Sequence, residues 1–395
     1  MVTSPSLIRR VSAARWGVAA LFVANALVFA SIVTRYPELK AAFGLNELTF
    51  GIMVACGPVG SIVGSLIAGR LVARAGAVPV AVASSVTLGL LLVVAAFAGN
   101  PVVLALVLFV IGFADATGDV GNNAHGLEVQ RQLGRSIING LHGAWSAGAI
   151  AGGLAGLLFL QFGVPIWVHF LVLGAVIVTG SLVALRFLPL PHAEHPQAAH
   201  ATGRPRLLSG VLLAACGLAV IGGFLEDLGS TWGGVYLTEV IDADLADSAY
   251  AFVAMMGALT VGRFVSDWLV DRFGAVTTLR IGSVAAFVGV LGVFLAPSVI
   301  VAALAFALIG VGIAPMIPLA MEAADRAPGL ARGTGLAVAS TVMRVGFFAS
   351  PLLVGLIAEL SGLRTAVLLC LAVPVVALFL AGFLKVAAAD RVAEA

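Results

Sequence analysis

Gly64–Val78 reads GSLIAGRLVARAGAV, and Gly262–Val276 reads GRFVSDWLVDRFGAV. Gly64 aligns with Gly262, Leu71 with Leu269, Val72 with Val270, Arg74 with Arg272, and Gly76-Ala77-Val78 with Gly274-Ala275-Val276. The two copies stand half a chain apart, each at the end of the second long apolar run of its own group. A repeat at that spacing predicts two bundles of common ancestry.

The apolar runs are the solvent argument. The chain has 395 residues, 61% of them hydrophobic and only 10% charged, with a mean hydropathy of +1.13. Soluble domains carry about 25% charged residues, so the surroundings of most of this chain must be lipid. Runs of spanning length begin near Trp16, Leu48, Val78, Pro101, Gly140 and Pro165, stop after Pro189, and resume near Leu207, Ser248, Leu279, Pro297, Gly335 and Thr365. The expected fold is an all-α membrane protein of twelve spans, with six-helix bundles over 1–190 and 207–395. The stretch 191–206, PHAEHPQAAHATGRPR, is expected to be a cytoplasmic linker, because Pro and His interrupt any helical stripe.

Charge fixes the expected orientation. With both termini inside, only Arg35, Lys40 and Arg364 of the 21 Lys and Arg fall outside, and all the others except the intramembrane Arg344 fall at or near the inner face. The chain is therefore expected to be a multi-pass protein of the cell inner membrane with cytoplasmic termini. Arg9-Arg10 reads as a basic anchor for a retained first helix rather than a cleaved signal. A net charge of +2 without a like-charge run gives no reason to expect a nucleic-acid partner. Cys56, Cys216 and Cys370 are scattered in apolar runs, so neither a metal site nor a cofactor is expected.

The repeated loop resembles that of the major facilitator superfamily, which carries Gly-x-x-x-Asp-Arg-x-Gly between its second and third helices. The first copy has Gly69, Arg74 and Gly76 with Ala73 in place of the acid. The second has Asp271, Arg272 and Gly274, with Asp267 at the leading glycine position. The resemblance implies a gating loop that latches the cytoplasmic side through these residues.

A closer similarity is to an uncharacterised bacterial branch related to fucose-type sugar and proton symporters. Phe29-Ala30, Arg35-Tyr36-Pro37, Asp119-Val120, Asn123-Ala124-His125, His142, Trp145-Ser146, Glu226, Trp232 and Val235-Tyr236-Leu237 carry it, while Thr231 stands where an acid is expected. It implies secondary transport of a small polar solute by alternating access, most simply as proton symport, by a monomer. The alternative is a proton-driven efflux antiporter, whose Gly-Pro signature the fifth run does not contain. No phosphate loop, nucleophile motif or metal motif points to an ATPase or an enzyme.

Ionisable groups deep in a bilayer cost about 2.5 to 3.5 kcal/mol each and so mark candidate sites. Runs 3, 6, 9 and 12 carry no acid or base except His169, read as an interfacial histidine, whereas acids or an arginine fall in runs 4, 7, 10 and 11. In run 4, Asp115, Asp119 and Asn122 or Asn123 recur along one helical stripe. At a rise of about 1.5 Å per residue from Pro101, Asp115 lies about 21 Å and Asp119 about 27 Å along it. Two acids four apart repel when both are ionised, which suits them to sharing a proton.

Asp115, Asp119 and Glu226 are the expected proton-coupling residues, and Asn25, Asn122, Asn123, His142, Trp145 and Arg344 the expected solute-binding residues. Asp119 has a structural alternative, a clamp onto Arg131 or Arg135, and Arg344 has one in an ion pair with Glu322 or a run 4 acid. Glu226 and Asp227 are read as ending run 7 after a break at Gly222-Gly223, with Asp227 in water. Pro315 and Pro318, after Gly310 and Gly312, predict a hinge in run 10.

Overall fold

The computed structural model describes residues 5–188, 209–327, 330 and 334–393, the side chains of 5–8, 139 and 385–393 excepted. The expected linker 191–206 lies outside the described residues, as do Arg204, Arg206 and Arg332. Among the described residues the structure is helical without strands.

Twelve helices are long and apolar enough to cross a membrane. Spans 1 to 6 are Arg9–Thr34, Glu47–Ala75, Ala77–Ala96, Pro101–Leu133, Gly140–Gln161 and Ile166–Leu185. Spans 7 to 12 are Gly210–Glu239, Leu245–Phe273, Ala275–Leu295, Val299–Asp325, Thr334–Ser361 and Leu363–Leu384. Their outward side chains, among them Leu66, Leu90, Leu106, Phe264, Ile300, Leu304 and Phe379, are large, apolar and exposed, which only a lipid solvent makes favourable.

Contacts divide the chain into two compact units, one of Met1–Arg35 with Cys56–Gln197 and the other of Tyr36–Ala55 with Ala198–Ala395. Inside each, the same pairing recurs. Span 1 packs on spans 5 and 6, and span 3 on spans 4 and 6; span 7 packs on spans 11 and 12, and span 9 on spans 10 and 12. Spans 1 and 7 are the most enclosed, with 72% and 78% of their apolar windows buried against at most 56% elsewhere. They are the cores on which the other spans lean.

Glycine sets the close helix contacts. A Cβ at Gly60 of span 2 would collide with the Phe109 carbonyl of span 4, and one at Gly310 of span 10 with the Met255 carbonyl of span 8. Small residues let backbones approach and gain dispersion contacts where lipid supplies no hydrophobic drive. The repeated loop is built alike in both halves: Gly76 and Gly274 adopt φ of 89° and 81°, a region closed to most side chains.

Several expectations are corrected. Span 7 does not break at Gly222-Gly223; its helix Gly210–Asp227 runs on through a π turn, Leu228–Trp232, into a helix Gly233–Glu239. Gly222 and Gly223 are instead packing positions against Ile317 and Phe347. Span 10 does break, between Ile313 and Met316, where Pro315 cannot donate, but Gly310 and Gly312 serve packing rather than flexibility. Spans 9 and 12 begin early enough to include Arg280 and Arg364, so spans 3, 6, 9 and 12 are not free of bases as expected.

Candidate functional site

Span 4 is a helix of 33 residues whose ends are specified locally. The Asn100 side chain accepts from the Val103 N–H at 3.0 Å with Pro101 in the first turn, and Gly134 closes the helix in the left-handed conformation. Gly112, Ala114, Ala116, Gly118 and Gly121 are buried on its packed side, while Asp115, Asp119 and Asn123 are half-buried along a second stripe.

That stripe meets spans 1 and 5 in one polar network. Asn25, buried in span 1, donates from Nδ2 to Asp115 Oδ1 at 2.6 Å and accepts from Trp145 Nε1 at 2.8 Å. The Trp145 ring stacks on Phe29 at 6.2 Å, and the His142 ring, one turn earlier, meets the Phe22 edge at 5.3 Å. An amide that serves an acid with one end and an indole with the other fixes the direction of both. The structure thus brings together Asn25, Asp115, Trp145 and His142, four of the residues expected from sequence, with His142 the most exposed.

Asp119 and Asn123 form their own pair one turn on. Asn123 Nδ2 donates to Asp119 Oδ1 at 2.8 Å and to the Asp119 carbonyl at 2.9 Å. The clamp expected from Arg131 is not the one it makes, for Arg131 bonds Glu128. Asn122 leaves the stripe: it is 2% exposed, and its Oδ1 has no hydrogen-bond partner among the described residues. Of the two amides the sequence offered, the one eight residues after Asp115 is therefore the stripe member.

In the second unit, Glu226 and Asp227 lie within span 7 rather than at its end, and both are buried. Asp227 is not in water: Thr231 Oγ1 donates to its Oδ1 at 2.9 Å. Arg344 is half-buried in span 11, and its expected partner Glu322 bonds Arg326 at 2.5 Å instead. The loop residues Gly69, Arg74, Gly76, Asp267, Asp271, Arg272 and Gly274 are all exposed.

Two of the basic residues that charge counting assigns to the outer side are buried. Arg35 is 2% exposed; its Nε donates to His169 Nδ1 at 3.1 Å and its guanidinium to the Val164 carbonyl at 2.8 Å. His169 is fully enclosed between Phe159 and Phe170. Lys40 is also buried, bonded to Glu239 at 2.5 Å and Glu47 at 3.4 Å. No run of sequence signals these pairings, since each joins residues from separate helix ends.

Among the described residues no group of three or more His, Cys, Asp or Glu side chains is placed to hold a metal. What the arrangement offers is hydrogen bonding among polar side chains inside a membrane-spanning helical body. Residues 18–329 match the model of the Major Facilitator Superfamily, and the chain belongs to that family. It is 31% identical to an uncharacterized transporter, y4wD, of Sinorhizobium fredii over 88% of this chain and 92% of that one. It is 26% identical to the membrane protein MosC of Rhizobium meliloti over 91% and 87%.

Among solved structures, a D-xylose-proton symporter is similar with a TM-score of 0.74 at 16% identity, covering 96% of this chain and 97% of that one. The nucleoside transporter NupG, as a D323A mutant, is similar with a TM-score of 0.73 at 14% identity over 94% and 99%. The fold is that of a facilitator-type transporter, two pseudo-symmetric bundles of six helices.

Proposed function

We propose that this transporter moves a small polar solute by alternating access in symport with protons. The observation that carries the reading is the Asn25–Asp115–Trp145 network: an acid, an amide and an indole joined across spans 1, 4 and 5. An acid able to exchange a proton stands within one hydrogen bond of groups suited to hydroxyl-bearing solutes. That similar folds include a D-xylose-proton symporter and a nucleoside transporter supports the same solute class.

In this reading Asp115 carries the proton, with Asp119 and Glu226 as further candidates. Asn25, Asn123, His142, Trp145 and Arg344 serve the solute, with Asn122 as a further candidate. The moving bodies are the halves 1–190 and 207–395, the exposed loop residues from Gly69 to Gly76 and Asp267 to Gly274 act as the cytoplasmic latch, and the protein works as a monomer in the inner membrane with both termini cytoplasmic. Reporter fusions after His195 and Ala395 should both read cytoplasmic.

The test is uptake by the purified full chain in proteoliposomes across pentoses, hexoses and nucleosides, with and without an imposed pH gradient. Accumulation driven by an acidic exterior supports symport. Expulsion from the cytoplasmic side under the same gradient makes the protein an antiporter instead, and accumulation indifferent to pH removes the proton.

A further inference from the structure

Asp227 is the buried acid that the proposed function leaves unused. It is 7% exposed, and at about 1.5 Å per residue it lies about 26 Å along span 7 from Gly210. Its Oδ1 is satisfied by Thr231, but Oδ2 is buried and closes no hydrogen bond. Ser350 of span 11, fully buried, stands close enough to stabilise the carboxylate's charge, although its Oγ closes no well-formed hydrogen bond. Trp232, at the far end of the π turn, contributes a third buried polar atom without a partner, Nε1.

Asp227 Oδ2 and Ser350 Oγ are thus a buried acceptor and a buried hydroxyl on spans 7 and 11, neither of them saturated. The π turn itself is a local departure of the kind that gathers at functional sites.

The charges around Asp227 narrow the occupant. Glu226 precedes it on the same helix, and Tyr36 faces it from the short helix Tyr36–Ala42. Arg263 of span 8 acts on Glu226, and among the described residues no lysine or arginine forms an ion pair with Asp227. An ionised carboxylate in such a place is disfavoured without a counter-charge. A hydrated metal cation needs a shell of oxygens, whereas one unused carboxylate oxygen and one hydroxyl suffice for a proton.

The site is also sealed. Tyr36, Phe50 and Trp232 are all buried and meet edge to face, with ring centroids 5.6 Å apart for Tyr36 and Phe50 and 5.3 Å for Phe50 and Trp232. The Trp232 ring lies against span 11 at Gly355, where an added Cβ would come within 3.3 Å of it.

We propose that Asp227 is a second proton-binding site, in which Oδ2 takes a proton from the aqueous phase and shares it with Ser350 Oγ beneath the Tyr36–Phe50–Trp232 stack. Its place in the transport cycle rests on the proton-symport reading; its existence does not.

Infrared spectra of the purified full chain in lipid, taken through a pH titration, test it without a known solute. The wild type should show a carboxylic C=O band that is lost in Asp227→Asn, returns at a shifted frequency in Asp227→Glu, and survives in Asp115→Asn and Glu226→Gln. A titration in Asp227→Asn superimposable on the wild type overturns the proposal. So does loss of the band on adding sodium chloride but not choline chloride at fixed pH, which would make this a sodium site.

If Asp227→Asn does not fold, Ser350→Ala keeps the acid and should move the band's midpoint by about one pH unit, a tenfold change in proton affinity. An unmoved midpoint overturns the proposal. Should the band behave as expected while no solute responds to a pH gradient, the site stands and the symport reading falls; should pH-driven uptake be found with the band unchanged in Asp227→Asn, the reverse holds.

Discussion

Asn25 and Asp115, 90 residues apart in sequence, are joined by a 2.6 Å hydrogen bond inside the first unit. The amide oxygen left over is taken by Trp145, so one side chain holds three helices in register. That economy makes Asn25 the most sensitive point of the network.

Asn25→Ala should remove both hydrogen bonds and leave Asp115 and Trp145 each short of a partner. The expected cost is about 1 to 3 kcal/mol in stability, read as a lower thermal midpoint, with transport reduced at least tenfold. Trp145→Phe keeps the ring on Phe29 and loses only the donor, so its cost should be about 1 kcal/mol. Equal midpoints for all three proteins would show that the network holds nothing together.

Asp115 and Asp119 should differ in kind. Asp115→Asn is expected to abolish pH-driven accumulation while leaving solute exchange at equal pH nearly intact, because exchange needs no net proton movement. Asp119 is engaged by Asn123 on its own helix, so Asp119→Asn should weaken accumulation only several-fold. If both folded variants concentrate solute as the parent does, the proton site is elsewhere, and Glu226 and Asp227 become the first places to look.

Arg35 and His169 make a buried pair whose geometry predicts that neither tolerates a nominally conservative change. The guanidinium serves an imidazole nitrogen and a carbonyl at once, a fork that an ammonium cannot reproduce. Arg35→Lys and His169→Phe should each lower stability by about 1 to 3 kcal/mol in detergent denaturation. The double variant should cost less than the sum of the singles, since removing either partner already breaks the bond. Additive costs would mean the two side chains act independently.

The span count was legible because a bilayer imposes a length on every helix, and the repeat was legible because Gly76 and Gly274 answer the same backbone demand in both halves. The stripe through Asp115 and Asp119 followed from helical periodicity alone. What periodicity cannot supply is the partner on another helix, which is why Asn25 and Trp145 could be singled out but not joined. Nor does charge counting, which assigns Arg35 and Lys40 to a side of the membrane, say that they are buried, because a basic residue at a helix end looks the same in sequence whether it snorkels to water or turns inward. Asp227 was misread for a related reason: Gly222-Gly223 suggested a helix end, whereas close packing on spans 10 and 11 uses those glycines and carries the helix past the acid.

Lys40 offers the sharpest test of the second unit. Its ammonium is nearly enclosed, at 7% side-chain exposure, between Glu239 at the end of span 7 and Glu47 at the start of span 2, which are 37% and 25% exposed. Because the acids are partly wet, the pair should be worth only about 1 kcal/mol and should weaken with salt, the Debye length being about 10 Å at 0.1 M. Lys40→Met keeps the buried stem and leaves two acids facing each other, so it should destabilise more than Glu239→Gln, which leaves Lys40 with Glu47. Adding Glu47→Gln to Lys40→Met removes the repulsion and should recover part of the loss. Thermal unfolding of the four proteins at low and high salt gives both answers at once. An order in which Glu239→Gln is the most damaging, or losses indifferent to salt, would show that packing at this helix end rather than charge holds span 7 to the segment before span 2.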